Sequence, residues 1–508
     1  MTENLGVLGD DAPEQIRIRL DKRERYLAEG KEPYPAEVPV NDTIKDVRAK
    51  YEGIEPGVEL EDRVAVAGRV MLYRTGGKIA FATLQAGDGT RLQVIFSLAN
   101  VGEEAFKAYK TDVDLGDFIF VEGHMGASKR GELSVFAHSW KMASKALRPL
   151  PKIYTNEAGE EIALSEESRV RLRHLDLITR PRAREMVKIR SSVMRSIRRN
   201  FENRNYTEIE TPILQPLHGG AAARPFTTHI NAYDEDLYLR IATELYLKRA
   251  VVGGIDRVFE IGRNFRNEGA DSTHSPEFTA LEAYQSYATY ETMADLTQNL
   301  VQQAALDTFG TTTVTLADGT EYDLGGEWQR LDLYTTVSEA VGETVTVDTP
   351  RERLEELAEA HDISIAPYWV NGKIVEELFE ELAGDKLYQP TFVFDFPEDT
   401  SPLTRPHRTK PGLTEKWDLY VRGMELGTAY SELADPVIQR ERLTQQSLDA
   451  AKGDPEAMEL DEDFIEAMEQ GFPPTGGMGM GIDRLITALT GLGIRETITF
   501  PFIKPGAH

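Results

Sequence analysis

From about Arg63 the alternation of apolar and polar residues takes on a period of two, and this switch constrains the fold more than any other feature of the chain. Residues 64–71, 79–84 and 92–96 read as three short strands. Gly76-Gly77 and Gly87-Asp88-Gly89 fall between them as hairpin turns. A polar helical piece follows near 102–110, then strands at 118–123 and 133–142. Three strands, a helix and two strands within about 80 residues predict a five-stranded β-barrel of the OB type, a spacing that other small barrels share.

Before the barrel, residues 12–29 predict a mixed-charge amphipathic helix with Ile16, Leu20 and Leu27 on its apolar side, and Pro33, Pro35 and Pro39 then break the helical pattern. A chain of 508 residues exceeds one ordinary core. The expected organisation is a helical extension over 1–60, the barrel over 61–148, a Pro-, Gly- and Glu-rich linker over 149–166, and a second domain over 167–508. In that second domain helices and strands alternate irregularly, which predicts an α+β fold with a largely antiparallel sheet. Neither GxGxxG nor GxxxxGK[ST] occurs, so any nucleotide chemistry here would use neither a Rossmann nor a P-loop site.

The chain has no cysteine, which excludes disulfides, thiolate nucleophiles and Cys-ligated zinc. No apolar run approaches the roughly 18–20 residues needed to span a bilayer, and residues 1–20 lack the apolar stretch of a secretory signal. A cytoplasmic location without membrane partners is expected. The net charge of −28 alone argues against nucleic acid. Binding to phosphates depends on local basic surface, however. Arg180, Arg182, Arg184, Lys188, Arg190, Arg195, Arg198, Arg199 and Arg204 face only Glu185 and Glu202 in the same stretch. By itself that run reads as a solvated helix face.

Three stretches of the second domain carry chemistry. The first runs from the basic helix through residues 206–214 as a strand ending near Pro212. The second is Arg257 to Glu268, a loop through Asp271 and His274, and Glu277 to Tyr284, which reads as strand, loop, strand. Phe278, Glu282 and Tyr284 share parity there and project from one face, as a stacking surface beside an acidic pocket. The third is Gly476-Gly477-Met478-Gly479-Met480-Gly481-Ile482-Asp483-Arg484-Leu485, in which glycines let a backbone approach closely before a helix begins.

In this order the segments resemble motifs 1, 2 and 3 of class II aminoacyl-tRNA synthetases, and an N-terminal OB barrel is similar to that of the aspartate, asparagine and lysine subgroup. Residues 219–226, 240–249 and Tyr430-Ser431-Glu432-Leu433 look like the lysine members. The resemblance runs from about residue 60 to the C-terminus. It implies that the chain activates L-lysine with ATP and Mg²⁺, transfers it to the 3′ end of tRNA(Lys), and works as a homodimer.

The resemblance also implies roles for individual residues. The substrate carboxylate is already ionised at pH 7, so activation needs cation clamping and positioning rather than a general base. Arg266 matches the arginine on the α-phosphate and substrate carboxylate, and Arg484 the arginine on the γ-phosphate side and adenine. Phe278 matches the adenine-stacking ring, while Glu268 and His274 match ATP contacts. Asp418 and Glu425 match Mg²⁺ ligands of the hard oxygen type. Glu282, Glu432, Tyr284 and Tyr430 match the side-chain pocket for lysine. Glu244, near Gly220, matches the residue on the α-amino group. An aspartate-specific relative needs cations where these acids stand. Arg74, Phe81 and Gln93 match recognition of the central anticodon uridine. Two departures stand out: Ser275 and Thr428 occupy positions where the family often has Asn. Glu425 also has the wrong parity to face the site with Tyr430 and Glu432 unless the strand bulges near Gly427. The competing readings are a lysine-activating paralogue that modifies a protein, and a non-catalytic tRNA-binding protein of the same fold.

Overall fold

A computed structural model describes residues 13–152, 154–155, 161–162, 164–269, 274–451 and 460–504. The chain divides into two units, Met1–Arg184 and Glu185–His508.

In the first unit, α1 (Glu14–Ala28) precedes α2 (Ile44–Lys50), whose Thr43 hydroxyl caps the Asp46 N–H. Ile16 is buried as expected, but Leu27 is 42% exposed. Tyr26 packs towards the barrel core in its place, and the buried Arg19 lies on the same side. The Arg19 guanidinium donates to the carbonyls of Ala146 (2.8 Å) and Leu115 (2.9 Å), so a cation occupies ground that an apolar stripe predicts for leucine. Five strands, β1 (Glu59–Thr75), β2 (Ile79–Gln85), β3 (Arg91–Ser97), β4 (Phe118–Ala127) and β5 (Leu133–Ser144), close into a barrel in the order β1-β2-β3-β5-β4. α3 (Glu103–Asp112) places Tyr109 against the core, its ring stacked on Phe96 at 3.9 Å. In the expected linker, Tyr154–Thr155 pairs with Glu161–Ile162; residues 153, 156–160 and 163 lie outside the described residues.

The second unit is built on an eight-stranded sheet. Its helices α4 (Pro181–Glu202), α5 (Glu244–Val252), α6 (Tyr290–Phe309), α7 (Asn371–Leu382) and α8 (Ile482–Thr490) alternate with strands β6 (Thr207–Glu208), β7 (Arg257–Phe265), β8 (Glu277–Ser286), β9 (Gln329–Asp332), β10 (Thr391–Phe394), β11 (Lys416–Val421), β12 (Met424–Ser431) and β13 (Thr475–Gly481). The sheet order is β9-β10-β11-β12-β13-β8-β7-β6, antiparallel except at the outer pairs β9/β10 and β7/β6. One face is covered. Met186, Ile189, Val193, Ile197 and Phe201 recur on α4 at helical spacing and pack with α6, α8 and the sheet residues Leu281, Ala283, Met478 and Met480.

Residues 206–214 do not form the single strand expected. Only Thr207–Glu208 and Leu214–Gln215 pair. Between them Pro212 has no N–H to give a ladder, and the Thr211 N–H (3.1 Å) and hydroxyl (2.7 Å) donate to the Glu260 carboxylate instead. The basic run is partly anchored. Arg190 donates to Asp483 (2.5 Å) and to the Thr279 hydroxyl (2.9 Å), and Asp483 also accepts the Thr279 N–H (2.7 Å). That network ties α4, α8 and β8 together beneath the open face of the sheet. Among the described residues no helix is long and apolar enough to cross a membrane.

Candidate active site

The register of the central strands explains the alternating glycines. Lys416 on β11 pairs with Tyr430 on β12, Tyr430 with Gly477 on β13, and Gly477 with Tyr284 on β8. In the next row Asp418 pairs with Thr428, Thr428 with Gly479, and Gly479 with Glu282. Paired residues share a face. Gly477 and Gly479 therefore form a floor without side chains between two walls that carry them, while Met478 and Met480 point into the core on the other side. A Cβ on Gly477 would collide with the Glu432 carboxylate and the Tyr284 ring.

The space above this floor is a cavity of about 490 Å³. Every residue of this unit that the resemblance singles out lines it except Glu432. Glu432 stands just past the end of β12 and is buried, with its N–H donating to the Thr475 carbonyl (2.8 Å) and its carboxylate on the same side of the floor as the Tyr284 ring. Glu425 does reach the cavity. The ladder slips between Leu419 and Tyr420, so that Gly427 faces Leu419 while Glu425 faces Tyr420, and the bulge at Leu426 restores the parity of Glu425.

The amino-acid end is acidic. The Glu282 carboxylate accepts the Thr243 N–H (3.0 Å) and the Tyr284 hydroxyl (3.3 Å), and burial followed by the nearby Glu244 charge pushes it up to about 7. Glu244 is buried beside Gly220, whose φ of +83° favours glycine and whose neighbours Ala242 and Glu244 would crowd a Cβ. Lys248, four residues after Glu244 on α5, holds its Nζ 2.5 Å from Glu244 and 2.5 Å from Glu432. The two carboxylates hold this buried ammonium in its charged form. Burial pushes the Glu432 carboxyl above the ordinary carboxylate range while Lys248 pulls it back. The contact between Lys248 and Glu432 is close in distance but out of hydrogen-bond alignment, so neither Glu432 oxygen has an aligned donor.

The other end is cationic. Arg266 lies half-buried, 5.2 Å from the Phe278 ring centroid, and its Nε reaches the Ile241 carbonyl (3.4 Å). Burial lowers its pKa, opposed by the charges of Glu268, Glu282 and Glu425. Arg484 donates to the Glu425 carbonyl (2.8 Å) and stands 3.4 Å from His274 Nε2. Beside them Asp418 is buried, with one oxygen 3.2 Å from Lys416 and the other without a hydrogen-bond partner. Glu376 and Glu380 on α7 line the same corner. Among the described residues no three His, Asp or Glu side chains converge as a ready-made metal site. The hydroxyls of Ser275 and Thr428 donate to the carbonyls of Glu277 (2.8 Å) and Trp417 (3.2 Å).

On the barrel, Arg74 pairs with Phe81 and Thr83 with Gln93, which sets Arg74, Phe81 and Gln93 on the outer face of three adjacent strands. Phe81 is 37% exposed there.

Comparison with known proteins agrees with this geometry. Residues 165–504 match the family of class II tRNA synthetases (D, K and N), and residues 64–143 match the OB-fold nucleic acid binding domain. The chain belongs to the class II tRNA synthetases. Lysine–tRNA ligases are among its similar relatives: that of Kineococcus radiotolerans is 60% identical, with 98% of each chain covered. That of Mycolicibacterium gilvum is 58% identical over 97% of this synthetase and 98% of its own length. A lysylphosphatidylglycerol biosynthesis bifunctional protein of Gordonia bronchialis is 47% identical over 97% of the synthetase, which spans only 42% of that longer protein.

Lys248, Lys416, Glu376 and Glu380 escaped the sequence reading. The i,i+4 spacing of Glu244 and Lys248 was available as a signal, but such pairs usually lie on helix surfaces. Lys416 lies two residues from Asp418 and therefore on the same face of β11.

Proposed function

We propose that this synthetase is a lysine–tRNA ligase whose cavity joins L-lysine to ATP with the residue roles that follow. The observation that carries the reading is the gathering of Glu244, Glu282 and Glu432 at one end of a cavity that Arg266 and Arg484 enter from the other. A diamino acid placed across it directs its ε-ammonium to Glu282 and Glu432, its stem between Tyr284 and Tyr430, its α-ammonium to Glu244 near Gly220, and its carboxylate to Arg266. Adenine lies between Phe278 and Arg484, and Glu268 and His274 contact the nucleotide. A carboxylate oxygen attacks the α-phosphorus, and the bond to the β-phosphate breaks to release pyrophosphate. Arg266 holds both anions in line and neutralises the charge that develops. The 3′-hydroxyl of the terminal tRNA ribose then attacks the acyl carbon, and AMP leaves.

The unpartnered Asp418 oxygen and the Glu425 carboxylate beside the bulge would hold a Mg²⁺ ion. Such an ion supplies charge neutralisation at the phosphates. Asp418→Asn is expected to raise the Mg²⁺ concentration for half-maximal pyrophosphate exchange about tenfold; an unchanged Mg²⁺ titration removes Asp418 from the metal.

Lysine binding should depend on pH in a definite direction. Glu282, raised to about 7, is protonated at pH 6 and ionised at pH 9, and only the carboxylate attracts an ammonium. The KM for lysine is therefore expected to fall as pH rises through 7 while the KM for ATP does not follow it; a flat lysine KM across this range contradicts the assignment.

The outer face bearing Arg74, Phe81 and Gln93 supports anticodon reading, with the phenyl ring stacking on a base and its neighbours meeting the base edge. Phe81→Ala is expected to lower kcat/KM for tRNA about 10–100-fold, from the ~1–3 kcal/mol of one stacked base, and to leave lysine-dependent exchange untouched. Equal losses in both assays defeat it. The barrel also favours tRNA charging over modification of a protein. The exposed apolar residues Ile213, Leu214 and Leu217 on and beside the 206–214 segment support a homodimer through this surface. The acidic charge and the lack of a spanning helix among the described residues support work in the cytoplasm. Lysine-dependent ATP–pyrophosphate exchange followed by charging of tRNA(Lys) tests the whole scheme, and activity with another amino acid in preference to lysine would overturn it.

A further inference from the structure

Lys248 has no task in the mechanism above, yet it sits at the centre of the amino-acid end. Its side chain is 1% exposed, and an ammonium so far from water is tolerated only when anions surround it. Its bond to Glu244 is aligned, whereas Glu432 keeps both oxygens without aligned donors and directs one towards Gly477 and Tyr284. Glu282, by contrast, is already met by the Thr243 N–H and the Tyr284 hydroxyl. The phenols facing this group, Tyr284 on β8 and Tyr430 on β12, both have raised pKa values and stay neutral. With the carboxylates of Glu244, Glu282 and Glu432 all ionised, the Lys248 ammonium between Glu244 and Glu432 leaves two negative units. A diamino acid brings two ammonium groups.

We propose that Lys248 is a positioning residue that holds Glu244 and Glu432 on one cation and thereby matches the charge of the chamber to a substrate carrying two ammonium groups. The inference rests on the reading that Glu432 meets the ε-ammonium and Glu244 the α-ammonium. Without Lys248 the carboxylates converge in a buried space with no fixed cation, and burial, no longer opposed by the ammonium, pushes the Glu432 carboxyl further up. The chamber then loses its hold on lysine while the nucleotide end keeps its cations.

Lys248→Met keeps most of the volume and removes the charge. In the full-length enzyme it is expected to raise the KM for lysine about 30-fold at pH 7, with the KM for ATP within about twofold. The pH dependence of the lysine KM is expected to move to higher pH. Lys248→Ala leaves space for a small amine, and added ethylammonium is expected to restore part of the lysine KM in proportion to its concentration. An unchanged lysine KM and pH profile in K248M overturns the proposal. So does a parallel loss of lysine and ATP binding, the absence of any amine rescue in folded K248A, or failure of both variants to fold, since each assigns Lys248 to the fold alone. Glu432→Gln separates this inference from the reading beneath it. If E432Q leaves the lysine KM unchanged, the site reading itself fails. If E432Q raises it and K248M does not, only the role of Lys248 falls.

Discussion

Arg266→Ala is expected to reduce lysine-dependent ATP–pyrophosphate exchange by about 100- to 1000-fold, a loss of roughly 3–4 kcal/mol of the kind seen when a preorganised electrostatic group is removed. A carboxylate and a triphosphate repel each other, and the first task of the site is to hold them in line. Arg266 is fixed at the end of β7 by its own N–H, which donates to the Pro276 carbonyl (2.9 Å), and by its Nε on the Ile241 carbonyl. Its guanidinium is half-buried in the cavity wall, so its charge is screened less than that of a surface arginine. Arg484 is held differently, by the Glu425 carbonyl and by the start of α8, and it cannot take the place of Arg266. The loss should appear mainly in kcat, because the charge that Arg266 meets is greatest in the transition state. Near-normal exchange by the variant excludes the clamp.

Glu432→Gln should act on a different quantity. It is expected to raise the KM for lysine about 100-fold, or ~3 kcal/mol, as for removal of one partner of a buried charge pair, while the KM for ATP changes by less than about twofold. The amide keeps the shape of the side chain beside Gly477 and loses only its charge. Lys248 retains Glu244, so the local fold stays supported. Equal losses for lysine and ATP would mean that Glu432 braces the site rather than reads the substrate.

Much of this arrangement is legible in the chain because it depends on periods. The barrel strands alternate, glycines separate them, and each begins and ends within a few residues of the bounds that the pattern predicts. Phe278, Glu282 and Tyr284 fall on one face of β8 because strand parity is strict. The same parity predicts a bulge at Gly427; the strand does bulge, with the neighbouring Leu426 as the extra residue. What periodicity does not convey is substitution by a polar side chain. Glu260 takes over the ladder that Pro212 interrupts, so residues 206–214 lose their strand. Arg19 finds carbonyl partners and displaces Leu27 from the apolar side of α1. Lys248 looks like one half of a surface helix pair until the fold brings Glu432, distant in the chain, against it. Each of these depends on a long-range hydrogen bond or ion pair, which no local pattern announces.

The bare floor of β13 bears on any effort to make the enzyme more heat-resistant. Glycine within a strand lowers stability by roughly 0.5–1 kcal/mol relative to alanine, so Gly477 and Gly479 are obvious targets for strengthening. A methyl group at Gly477 would enter the volume already taken by Tyr284 and Glu432, which would have to move out of place. Catalysis and thermal endurance thus make opposite demands on this strand, and improvements are better sought on the Met478 and Met480 side, where packing can be altered without touching the substrate.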